Sequence, residues 1–215
     1  MLNLNEFSRE VYQVAVEHGW YENNECKSED AKIALIHAEL SEALEEYRNR
    51  KPMVYFHCCN LDGVDIEVCN GGNAFGDCEK EFPCPYRYEK PEGIMIELID
   101  ACIRIFDFMG YKGWCAPDFC DTTEKLIHAA RAIEYSIFDK YIENRSIPEL
   151  VRLLHWYISQ YNMDEEMADP MHTLLEAAGL IFMWIKEHGR EPDELLRMKH
   201  EYNKQRPYKH GGKRI

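Results

Sequence analysis

Residues 94–109 read IMIELIDACIRIFDFM, an apolar stretch broken by polar groups at Glu97, Asp100, Arg104 and Asp107. That spacing predicts a helix, because at 3.6 residues per turn the four polar side chains share one narrow stripe. Ile96, Leu98, Ile99, Ala101, Ile103, Ile105, Phe106 and Phe108 fill the remaining circumference. A helix apolar around most of its surface is buried, and this one takes carboxylates into the interior with it. A buried carboxylate without a partner costs several kcal/mol, so Glu97 and Asp100 require basic partners or a metal ion.

Residues 30–50, DAKIALIHAELSEALEEYRNR, predict a second acidic helix with Ile33, Ile36, Leu40, Ala43, Leu44 and Tyr47 on its apolar face. Glu39, Glu42 and Glu46 follow i, i+3, i+7 spacing and run along the border between core and solvent. The pairs Glu39-x-x-Glu42 and Glu97-x-x-Asp100 are therefore expected to face each other. Clustered carboxylates repel without a cation, and hard oxygen ligands suit Mg²⁺, with Mn²⁺ as a substitute. The competing reading makes Glu39 and Glu42 part of a solvated face and neutralises the buried acids through Arg48, Arg104 or Arg131.

The 215 residues suit a single domain, 1–215, of all-α class: a helical bundle around a four-helix core, interrupted by an irregular insertion at 51–91. That insertion is rich in Cys, Gly and Pro, with β-prone pieces at 53–56 and 64–68. No export signal opens the sequence and no apolar run approaches the roughly 18 residues of a membrane span, so a cytoplasmic, non-membrane protein is expected. Nine cysteines, an odd number, argue for reduced thiols. A formal net charge of −14 argues against sequence-independent binding to nucleic acid. The charge is uneven, however: 197–214 carries Arg197, Lys199, Lys204, Arg206, Lys209, Lys213 and Arg214 against Glu201 alone. A polyphosphate bound to Mg²⁺ offers both signs of charge to such a chain.

Further helices are predicted at 4–18, ending at Gly19, and at 93–109, 122–142, 147–161, 171–188 and 192–202. Leu35-Ile-His-Ala38 recurs as Leu126-Ile-His-Ala129, and 97–110 aligns without a gap on 176–189. This register sets Glu39 over Ala130, Glu42 over Ile133, Glu97 over Glu176 and Asp100 over Gly179. The echo suggests an internal pseudo-dimer from a degenerate duplication, with acids kept in one half.

The string His37-Ala-Glu-Leu-Ser-Glu-Ala-Leu-Glu-Glu-Tyr-Arg48, with Lys90-Pro-Glu-Gly-Ile94 and Glu97-Leu-Ile-Asp100, resembles the MazG-like all-α nucleoside triphosphate pyrophosphohydrolases, relatives of the dimeric dUTPases. The tail from Lys199 through Asn203, Arg206, Lys209 and His210 to Lys213 looks like the C-terminal segment of bacterial and phage members. The resemblance implies Mg²⁺ held by Glu39, Glu42, Glu97 and Asp100, and hydrolysis of a nucleoside triphosphate to a monophosphate and pyrophosphate. The internal pseudo-dimer suggested by the echo would permit a monomer, and helical bundles of this kind readily pair further into a homodimer. The gap between the acidic pairs is longer than the family's usual one, so the insertion must loop out for the helices to meet.

Glu42 is also the candidate general base, and Lys199, Asn203, Arg206 and Lys209 are candidate phosphate contacts, Arg being suited to bidentate recognition. Trp20 and Tyr21 either stack on a base or pack over the end of the core, and Trp20 is the candidate substrate contact. His37 is either a support for the acids or a surface histidine, and Arg104 and Asp107 support the site. Cys58, Cys69, Cys78 and Cys84 of the insertion, with Cys59 beside them, are candidate Zn²⁺ ligands, although no Cys-x-x-Cys pair occurs among them. A di-iron bundle requires Glu-x-x-His on facing helices, which this sequence lacks. The alternative to an enzyme is a non-catalytic helical adaptor or nucleotide-binding protein.

Overall fold

In the computed structural model, which describes residues 1–22, 24–59, 65–69, 87–137, 141–161 and 170–209, the chain is predominantly helical. Its order is α1 (Leu4–Glu17), α2 (Asn24–Lys27), α3 (Glu29–Arg48), β1 (Tyr55–Cys59), β2 (Asp65–Cys69), β3 (Arg87–Glu92), α4 (Ile94–Lys112) and α5 (Thr123–Ile137). A 3-10 turn (Ile142–Asn144), α6 (Ile147–Ser159), α7 (Pro170–Glu187) and α8 (Pro192–Lys204) complete it. Each long predicted helix is present, with ends shifted by a few residues. The helix expected over 122–142 is described as far as Ile137, and Ile142, its expected last residue, opens a 3-10 turn instead.

α4 and α7 are the two interior helices. Fourteen residues of α4 are buried, including Glu97 and Asp107, and α7 buries Leu174, Leu175, Ile181, Phe182 and Trp184 among others. The Phe106 and Phe182 rings, 6.2 Å apart, join them. α1 and α3 pack on α4, α5 packs on α7, α6 touches both α3 and α7, and α8 crosses α4. Fully burying each large apolar side chain contributes roughly 1.5–3 kcal/mol, so the doubly covered α4 anchors the fold.

Local chemistry sets the ends and approaches of these helices. The Asn3 side chain accepts the Glu6 N–H at 3.0 Å and caps α1. α1 meets α4 at Gly110, where a Cβ would lie 2.6 Å from the Ser8 carbonyl oxygen. The Ser8 hydroxyl donates to the Phe106 carbonyl at 2.7 Å beside it. Gly110 was expected to end this helix, but it is a packing residue within α4, which continues to a left-handed cap at Gly113, φ 68°.

The insertion differs from the expected irregular segment: its strands form a three-stranded antiparallel sheet in the order β2-β1-β3, with Phe56 opposite Cys69 and Pro91. Pairing of the backbone N–H and C=O groups of the β-prone pieces is the physical reason. Both ends of the insertion are pinned at the start of α4. The Met95 N–H donates to the Met53 carbonyl at 2.9 Å, and Gly93, at φ 113°, leaves only 2.7 Å between a would-be Cβ and the carbonyls of Pro52 and Met53. The insertion thus leaves and returns at one point, and α3 reaches α4 despite the long gap. The zinc expectation falls on the side chains of Cys58, Cys69, Cys78 and Cys84, which lie outside the described residues, as does that of Cys59.

Candidate functional site

A cleft of about 260 Å³ opens between α1, α3, α4 and α8, and the acidic pairs line it. Packing of α3 on α4 brings carboxylate oxygens of Glu39, Glu97 and Asp100 within 4.8 Å of one another. Glu39 and Glu97 are buried; Asp100 is half-buried. Glu42 lines the same cleft but is exposed and stands outside this three-carboxylate cluster. One turn beyond Glu39, it lies toward the solvent side of α3.

Desolvation governs the charge here. Burial pushes the Glu97 carboxyl up to about 8, Asp100 and Glu39 push the same way, and Lys199 and Lys90 oppose them. Glu39 is raised as well, again first by burial, with Arg104 opposing. The Arg104 Nε donates to Glu39 Oε1 at 3.0 Å, and Lys199 Nζ sits 2.7 Å from Asp100 Oδ2. Glu97 is left with the longer-range pull of Lys199 and Lys90. Three hard oxygen donors, one of them held neutral near pH 7 by burial and like charge, fit a divalent cation such as Mg²⁺ that would restore the charge balance.

The tail residues divide. Asn203 and Arg206 line the cleft, and Asn203 Oδ1 is buried without a hydrogen-bond partner. Lys199 also lines it, but as a fully buried ammonium committed to Asp100 and, at 3.4 Å, to the Pro91 carbonyl. It therefore holds a candidate ligand rather than reaching out for phosphate. Lys209 is not a cleft residue: its ammonium lies 3.3 Å from Glu22 Oε2, because its backbone at φ 45° turns away over the end of α1. Trp20 lines the cleft, whereas Tyr21 is buried away from any base, its hydroxyl donating to Asp107 Oδ1 at 2.8 Å.

Other partners are reassigned. His37 turns from the acids toward α6, with its Nδ1 2.7 Å from that of His155. Arg48 pairs with Glu45 and Arg131 with Glu187, so of the three arginines weighed only Arg104 meets an acid of the cluster. Asp107 supports the cleft floor through Lys32, whose Nζ is 2.8 Å from Asp107 Oδ2 and donates to the Tyr21 hydroxyl at 2.6 Å. Sequence reasoning missed Lys32, although it precedes Glu39 by two helical turns and so shares its face. Lys90 stands in the quoted string but was given no role: β3 brings it to the cleft wall, where its Nζ is 2.6 Å from Glu92 Oε1. No periodicity in the sequence could reveal that.

Among the described residues, no helix is long and apolar enough to cross a membrane. No protein-family model, curated protein or solved structure matches the chain.

Proposed function

We propose that the protein is a Mg²⁺-dependent nucleoside triphosphate pyrophosphohydrolase of MazG-like type, which converts nucleoside triphosphates to monophosphates and pyrophosphate and so cleans the nucleotide pool. The observation that carries this reading is the Glu39, Glu97 and Asp100 cluster, in a cleft whose other walls hold Arg206, Asn203 and Trp20. Glu39, Glu97 and Asp100 would hold the ion, with Glu42 at their solvent side. Bound there, Mg²⁺ would neutralise phosphate charge and lower the pKa of a water. Glu42 accepts the proton of the attacking water, a contribution of roughly 10²–10⁴-fold where such assistance operates. Arg206 binds phosphate oxygens from the α8 side, and Trp20 offers its ring to the base.

The internal pseudo-dimer belongs to the same proposal. The sequence register pairs Glu39 with Ala130 and Asp100 with Gly179. In the α5–α7 seam those two small residues meet, since a Cβ on Gly179 would lie 2.9 Å from that of Ala130. On this reading α3–α4 and α5–α7 are the two halves of a four-helix core, and the second half packs where the first binds. The chain then works as a monomer with one site, or pairs further as a homodimer.

A second reading, a non-catalytic adaptor or nucleotide-binding protein, is favoured by the Arg104–Glu39 and Lys199–Asp100 ion pairs, which answer two of the three acids without a metal. The deciding experiment is pyrophosphate release from a panel of nucleoside triphosphates with and without Mg²⁺. The enzyme reading expects Mg²⁺-dependent turnover that disappears in Glu97→Gln. Absence of turnover across the panel refutes it, and nucleotide binding without turnover establishes the second reading.

A further inference from the structure

His18, the last residue before the Gly19 turn, is held by two carbonyl groups at once. Its Nδ1 lies 2.7 Å from the Val14 carbonyl oxygen and its Nε2 lies 2.8 Å from the Arg206 carbonyl oxygen. Both partners only accept, and a neutral imidazole has a single N–H to donate. Only the imidazolium satisfies both contacts; in the neutral ring one nitrogen lone pair would face a carbonyl lone pair. One of these acceptors belongs to α1 and the other to residues 205–209 beyond α8.

Residues 205–209 lie as a strap across the end of α1. The Lys209 N–H donates to the His18 carbonyl at 3.1 Å, Lys209 Nζ lies 3.3 Å from Glu22 Oε2, and the Tyr208 hydroxyl donates to Glu22. The Tyr208 ring lies over Gly19, whose φ of 80° favours glycine at this turn. The strap bears Arg206 and the turn bears Trp20, and both line the cleft together with His18 itself.

We propose that His18 is a positioning residue: through its two ring nitrogens it ties the 205–209 strap to the end of α1 and thereby holds Arg206 at the cleft for an anionic, phosphate-bearing ligand. The inference rests on the pyrophosphohydrolase reading for its kinetic arm alone.

Two measurements on the full chain test this. Amide hydrogen exchange over 205–209 at one fixed pH reads docking without any ligand. The wild type is expected to protect these amides, after correction for intrinsic exchange. His18→Phe is expected to exchange about tenfold faster. His18→Arg, which keeps a charged donor, should recover part of the protection. Tyr208→Ala frees the strap by a second route and serves if His18→Phe does not fold. In the kinetic arm, His18→Phe and Arg206→Ala should each raise the KM for the nucleotide by about tenfold, the scale of a lost hydrogen bond to a charged group. Their double variant should add nothing further, and kcat and Mg²⁺ affinity should hold. A strap equally protected in His18→Phe or Tyr208→Ala, or KM effects that multiply in the double variant, would overturn the proposal. If no nucleotide is turned over, the pyrophosphohydrolase reading fails and the exchange arm still decides the role of His18.

Discussion

Glu97→Gln tests whether burial of an acid beside two others is the organising feature of the cleft. In the folded protein the Glu97 carboxyl is pushed up to about 8, against an ordinary 4.5. Between those values the folded state retains a proton that the unfolded chain releases. Stability from this group is therefore fully present below pH 4.5 and falls as pH rises toward about 8. At about 1.4 kcal/mol per unit, the gap between 4.5 and pH 7 costs the folded wild type about 3 kcal/mol. Glutamine carries no such cost. In the presence of a chelator, the variant should match the wild type near pH 4, exceed it by about 3 kcal/mol at pH 7, and gain little more above pH 8. For a chain of this size, that is a rise in Tm of roughly 6–12 °C at pH 7. Urea or thermal unfolding at stepped pH measures the difference. Mg²⁺ should reverse the order, because binding stabilises the wild type in proportion to log concentration above Kd while the variant lacks a ligand. Since the ion must displace the Glu97 proton, wild-type Mg²⁺ affinity should climb about tenfold per pH unit up to about 8. Stability curves that stay parallel from pH 5 to pH 8, or equal stabilisation of both proteins by Mg²⁺, would refute the reasoning.

Lys199→Met removes the buried cation facing Asp100 and should cost the metal-free protein about 3–5 kcal/mol in urea unfolding, with most of the loss recovered in saturating Mg²⁺. If Mg²⁺ restores nothing, the ion pair is the whole purpose of Asp100. Lys32→Met should likewise cost about 3–5 kcal/mol by stranding Asp107, and Lys32→Met combined with Asp107→Leu should recover much of it; additive losses in the double variant would contradict a paired charge.

How much of this site could be read in the sequence depended on the distance over which each signal acts. Glu97 and Asp100 were legible because the penalty for burying a carboxylate is local: their helix has no polar face on which to place them. Glu42 shares the motif spacing with Glu39, but one turn on a half-solvated helix separates a buried carboxylate from an exposed one, and spacing does not measure that. Lys199 and Arg206 read alike as tail cations, yet α8 buries the first against Asp100 and leaves the second at the cleft. The difference lies in where α8 crosses α4, a long-range fact. Lys90 and the sheet that carries it depended on strand pairing across a gap with no helical period to follow.

The two helix seams show how packing and chemistry exclude each other here. At α5–α7, Ala130 and Gly179 allow the backbones so close that no further Cβ fits at Gly179. At α3–α4, Glu39 and Asp100 occupy the corresponding positions of the sequence echo, and their seam forms part of a cleft of about 260 Å³. Small residues close such a seam and gain dispersion contacts along it. Carboxylates hold it open and incur desolvation, a cost that Arg104 and Lys199 offset only in part because Glu97 has neither beside it. A chain that keeps the open seam gives up packing energy there, and on the proposed reading a divalent cation held by Glu39, Glu97 and Asp100 would compensate for it. Replacing Asp100 by glycine would not convert this seam into the other, because Lys199 would lose its paired carboxylate while Glu97 stayed buried beside it.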